Sequence, residues 1–153
     1  MMMIARNTEY EDILNAVKGR KVTVWSCNTC AKLCNGVGGN QAADKLADKL
    51  RADGVNVVSS TSVSAACLMS KVTPRTADIA DLTDVVISLT CDIGVICAAN
   101  AFKKDVLAPL TTLGTGYVND DGSLIVTHCE DAQVPATLND VAKEKGMSST
   151  PLV

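Results

Sequence analysis

The chain is expected to fold as an α/β domain built on a doubly wound, mostly parallel sheet of four to five strands. Three observations predict this. Short β-branched runs alternate with apolar stripes at helical spacing. One run, Asp84 to Leu89 (DVVISL), is apolar almost throughout, as a parallel strand covered on both faces must be. Cysteines also stand two residues past three of the expected strands.

Residues 8 to 18 (TEYEDILNAVK) open on a Thr capping candidate, carry Ile13, Leu14 and Val17 at helical spacing, and are stopped by Gly19, so they predict a short helix. Lys21 to Trp25 (KVTVW) is a strand that runs directly into a cysteine-bearing loop. After Gly36, Gly38 and Gly39, residues Asn40 to Ala52 place Ala43, Leu46, Ala47 and Leu50 on one stripe and Asp44, Lys45, Asp48 and Lys49 on a solvated face. Asp53-Gly54 ends that helix and Val55 to Ser60 forms the next strand, which completes a βαβ crossover.

The second half repeats the pattern less cleanly. Short helices are expected at Ser64 to Val72, with Cys67 inside, and at Thr76 to Leu82. After the DVVISL strand come Thr90-Cys91-Asp92 and a helix over Ile93 to Lys104. Strands are expected near Leu110 to Leu113 and at Ser123 to Thr127 (SLIVT), and a short helix at Asn139 to Lys145, with the last six residues disordered. Such an arrangement is flavodoxin-like or Rossmann-like, as a single domain over residues 1 to 153. In it Cys27, Cys91 and Cys129 leave parallel strands at the carboxyl edge where open α/β sheets bind ligands, and Cys67 reaches the same edge. The turn Asn119-Asp120-Asp121-Gly122 is the weak point, because a hairpin there would make the last strand antiparallel and send Cys129 elsewhere.

Composition narrows the function. The 153 residues are 47% hydrophobic and 20% charged with a formal net charge of −3, which excludes a disordered chain and fits one core. No apolar stretch approaches the ~20 residues that cross a bilayer, and the first residues lack the features of a secretory signal, so a cytoplasmic protein without membrane insertion is expected. An acidic balance without a basic run argues against a nucleic-acid partner. Seven cysteines in such a chain are reduced thiols rather than a disulfide framework.

Their spacing carries the chemistry. Cys27-x2-Cys30-x3-Cys34 places three thiols within eight residues, followed by Cys67, the pair Cys91 and Cys97, and Cys129. Soft thiolates in number suit an iron-sulfur cluster or zinc, and a 4Fe-4S cluster takes four Cys, often three from one tight loop and one from a distant segment. One such cluster leaves three thiols over, and two clusters need a ligand other than Cys. A structural zinc site more often uses two well-separated CxxC pairs, and only one is present. Cys67, Cys91, Cys97 and Cys129 are each also explained as small buried hydrophobes. Gly38 and Gly39 are candidates to approach a cofactor or cradle an anion at a helix N-terminus, or simply form a turn, although neither dinucleotide nor P-loop spacing is present. His128, the single histidine, is a candidate ligand, acid/base or local hydrogen-bonding group. CNTC as a thioredoxin-type redox pair is a further alternative.

A strand running into CNTCAKLC, then VGGN and a helix, a later Cys, and the segment DVVISLTCDIGV together resemble the MetV-type iron-sulfur subunit or domain of methylenetetrahydrofolate reductases, over about residues 20 to 130. The resemblance implies a non-catalytic, electron-carrying subunit in one-carbon metabolism, with a 4Fe-4S cluster. It implies docking on a flavoprotein reductase subunit of MetF type that holds FMN or FAD, and exchange with a further electron-transfer protein. Cys27, Cys30 and Cys34 match the family triplet, Cys67 its middle cysteine, and Cys91 the cysteine after the central strand. The chain departs from the family in having Cys91-Asp92 where Cys-Gly is expected, and Cys97 and Cys129 match no family position. The alternative from the residues themselves is a zinc-binding structural or assembly module for a methyl-transfer or reductase complex.

Overall fold

A computed structural model describes all residues, 1 to 153. The chain folds as β1 (Met2–Arg6), α1 (Tyr10–Val17), β2 (Lys21–Cys27), α2 (Cys30–Leu33), α3 (Asn40–Ala52), β3 (Asn56–Val63), α4 (Met69–Thr76), a 3-10 turn (Ala80–Leu82), β4 (Val85–Leu89), α5 (Asp92–Phe102), β5 (Asp105–Leu107), β6 (Leu110–Val118), β7 (Leu124–His128), β8 (Ala136–Thr137) and α6 (Leu138–Glu144).

Four strands form a parallel sheet in the order β3-β2-β4-β5. Its two central strands explain their own composition. In β2, Val22 through Cys27 are all buried, and all five residues of β4 are buried, because helices cover both faces. Trp25 of β2 meets Phe102 of α5 edge to face, with ring centroids 5.3 Å apart. On α3 the buried residues are Ala43, Leu46, Ala47 and Leu50, the stripe that the 3.6-residue period predicts.

The expectation of one doubly wound sheet needs correction. β1, β6, β7 and β8 form a second, antiparallel sheet. The hairpin between β6 and β7 reverses the chain: the Asn119 N–H donates to Ser123 O at 2.8 Å, and Gly122 takes φ +85°. β7 therefore runs antiparallel to β6, away from the parallel sheet. β1, hidden in Met2–Arg6, pairs with β6 more than a hundred residues away.

Two further expectations change. Residues 64 to 68 form a turn, and α4 starts only at Met69, so Cys67 precedes the helix rather than lying within it. The last six residues are held in place. Arg6 and Ser148 exchange backbone hydrogen bonds at 2.7 and 3.0 Å, and the Asn35 side chain donates to Ser149 O at 2.9 Å. No helix is long and apolar enough to cross a membrane.

Candidate functional site

Chain direction in the parallel sheet selects one location. From β2 the chain crosses to β3 on one side, and from β4 it passes to β5 on the other, so the order reverses between the neighbours β2 and β4. Loops leaving two such strands diverge and open a crevice at their carboxyl ends. Cys27 is the last residue of β2, Cys30 the first of α2, Cys34 the residue that ends α2, and Cys91 the residue before α5, two positions past β4. All seven cysteines are free thiols.

Small residues let these loops close on the strand ends. A Cβ on Gly38 would lie 2.5 Å from Ala31 Cβ and 2.7 Å from Leu89 O. Only glycine fits there, and α2 is thereby pressed against the ends of β2 and β4. The Gly39 N–H donates to Ser26 Oγ at 2.6 Å, and the Asn40 N–H to Asn28 Oδ1 at 2.9 Å. Two of the N–H groups that would cradle an anion at the α3 N-terminus are thus already engaged. Gly38 and Gly39 act here as packing and turn residues beside the cysteines.

The amides that face sulfur come from elsewhere. Ala66, on the turn after β3, donates its N–H to Cys27 Sγ at 3.5 Å. Burial pushes the Cys91 thiol above its ordinary pKa, the N–H groups of Gly94 and Ile93 in the first turn of α5 pull it back, and the nearby Cys30 and Cys27 thiols raise it further. Cys34 is fully buried and its thiol donates to Met2 O at 3.4 Å. Burial pushes it up to about 11, opposed by the Ile4 N–H and reinforced by Cys30.

No three His, Cys, Asp or Glu side chains meet at metal-binding distance. As a donor set, however, the group suits a soft, thiolate-held metal or cluster: four thiols on two facing loops, with backbone N–H groups directed at two of the sulfurs. Cys27, Cys30 and Cys91 would hold such a group only once their loops draw closer, with Cys34 joining when its bond to Met2 is released. Iron-sulfur ligation would supply one-electron chemistry there.

The remaining candidates are placed as follows. Cys67 lies past the end of β3 beside Ala66, with its side chain exposed. Cys97 is buried within α5, six residues or about 9 Å of helix rise beyond Cys91, and belongs to the core. Cys129 follows β7 in the antiparallel sheet and donates to Glu130 O at 3.3 Å. Of the cysteines expected at one sheet edge, Cys129 therefore lies elsewhere, and the further ligand candidate Cys97 packs in the core. His128 is exposed, with Nδ1 hydrogen bonded to Thr127 Oγ1 at 2.9 Å, which is the local role.

Asp92, where the family resemblance leads one to expect glycine, joins the two sheets. Its carboxylate accepts from the Thr112 N–H and its own N–H donates to Thr112 Oγ1, both at 3.0 Å. This bridging role was not legible in the sequence, because the partner, Thr112 on β6, is twenty positions away. No known protein family, curated protein or solved structure matches the chain.

Proposed function

We propose that this chain is an iron-sulfur electron-transfer accessory subunit that docks on a flavin-containing methylenetetrahydrofolate reductase subunit. The observation that carries the reading is the placement of Cys27, Cys30, Cys34 and Cys91 on the loops that leave the carboxyl ends of β2 and β4, where strand order reverses. Thiolates are the donors that a 4Fe-4S cluster requires.

The protein's own contribution is environment. Ala66 and the first turn of α5 bring N–H groups to Cys27 and Cys91, which stabilises negative charge on sulfur and raises the potential of a group bound there. The β2 and β4 ends are dry, with Ser26 and Leu89 buried, so the site's inner side is shielded from water.

Docking has its own support. Leu33 and Leu68 are 53% and 50% exposed, and both adjoin candidate ligands, as does the exposed Ile93. Side chains of this kind around a cysteine-bearing edge suit a partner that covers it. The flavin, as FMN or FAD, belongs to that partner, which performs the reduction while this subunit supplies electrons. The complex so formed would work in the cytoplasm.

The test is spectroscopic. Anaerobically purified protein should show broad visible absorption that bleaches with dithionite and gives a paramagnetic signal on one-electron reduction. A colourless, diamagnetic protein that retains one tightly bound zinc would instead establish the structural or assembly role, for which the same thiols are suitable donors. Co-purification from the native source tests the partner: a flavoprotein should accompany the chain, and its absence would overturn the reductase assignment.

A further inference from the structure

A second site borders the first turn of α5. Between the first turn of α5, the face of β6 and the segment after β7 is an open cleft of about 840 Å³, within the range of small-molecule sites. Its walls come from five separated parts of the chain. The reciprocal Asp92–Thr112 pair fixes one wall against another, and Gly114 allows β6 to pass close to the opposite strand, since a Cβ there would lie 1.9 Å from His128 O.

The lining has a distinct chemistry. Met2, Met147, Ile93 and Leu113 supply apolar surface, and methionine sulfur packs favourably on aromatic rings. Asp92, Glu130 and Asp131 bring three carboxylates, against the single ammonium of Lys145, whose Nζ is bound to Glu130 O at 3.2 Å. Excess negative charge in a concave site concentrates cations and repels phosphates and carboxylates.

We propose that this cleft is a binding site for an aromatic organic cation. The ring lies against the methionine thioethers and the apolar wall, and the positive charge faces Glu130 and Asp131. The cleft shares the first turn of α5 with the metal reading, since Asp92 and Ile93 directly follow Cys91, but the carboxylates that face the cation, Glu130 and Asp131, lie after β7 and away from Cys27, Cys30 and Cys34.

The test uses the full-length protein with 13C-methyl-labelled methionine. Met2 and Met147 line the cleft, while Met3 is fully buried and Met69 lies on α4, so the two kinds of methionine report site and background in one spectrum. Titration with oxidised methyl viologen, a planar aromatic dication, should shift Met2 and Met147 saturably and leave Met3 and Met69 in place. Anthraquinone-2,6-disulfonate, planar but anionic, should move neither. Glu130→Gln with Asp131→Asn, both at exposed positions, should weaken viologen binding roughly fivefold with unchanged unfolding temperature. The proposal is overturned if viologen moves no methionine at millimolar concentration, if Met69 shifts as much as Met2 and Met147, if the anion binds equally well, or if the double variant binds as the parent does.

Discussion

The backbone N–H of Ala66 donates to the sulfur of Cys27 at 3.5 Å, which links the turn after β3 to the last residue of β2. The link extends to the third loop of the edge. A Cβ on Gly94 would lie 2.6 Å from the Thr90 side chain and 3.2 Å from Ala66 Cβ, so the first turn of α5 rests directly on the segment that holds Cys27.

Gly94→Ala should therefore act on two sulfurs at once. The added methyl forces α5 away from Thr90 and Ala66, with an overpacking cost of about 1–3 kcal/mol in urea unfolding. Metal affinity, read by competition with a chelator, should fall with it. Parent-like affinity in a folded Gly94→Ala protein would refute the link.

Gly38 and Gly36 separate steric from conformational need. Gly38→Ala meets Ala31 Cβ and Leu89 O and should cost about 2–3 kcal/mol. Gly36 has φ +69° with open space around its Cβ position, so Gly36→Ala should cost about 1 kcal/mol, from backbone strain alone. Urea denaturation of both variants checks the order.

Cys34 predicts a pH dependence of the metal-free protein. Its folded pKa, pushed up to about 11, exceeds the unfolded value, so the folded state holds the proton more tightly. The resulting stability is fully present below the unfolded pKa near 9 and is lost as pH rises through about 11. The whole effect is at most about 3 kcal/mol. Cys34→Ala should flatten the stability profile between those limits, as measured by denaturation at a series of pH values.

Local pattern made part of this molecule legible. The β2 and β4 runs, the α3 stripe and the positions of Cys27 and Cys91 just past strand ends follow from periods of 2 and 3.6 and from apolar content. β1 was not legible, because Met2–Arg6 becomes a strand only through its pairing with β6. β7 was recognisable as a strand but not by direction, which the Asn119 to Gly122 hairpin decides, and Cys129 moved with it. The donors to sulfur were equally hidden: Gly38 and Gly39 signalled an unusual backbone, yet the N–H groups that reach Cys27 and Cys91 belong to Ala66, Ile93 and Gly94, selected by tertiary packing.

Single substitutions at the edge should divide the thiols by role. Cys27→Ala and Cys91→Ala should each remove most of the bound metal with a stability change of only about 1 kcal/mol in the metal-free protein, since little volume is lost. Cys97→Ala and Cys129→Ala should leave metal content at the parent level, because one is in the core and the other is beyond the second sheet. Elemental analysis of the four purified variants checks this division.

The proposed role stands on an iron-sulfur cluster held by Cys27, Cys30, Cys34 and Cys91, whose loops must draw together around it. Iron, acid-labile sulfide and zinc measured in the full-length protein after anaerobic purification test it most directly. About four iron and four sulfide per chain with little zinc are expected. Stoichiometric zinc without iron, or protein free of both metals, would contradict it.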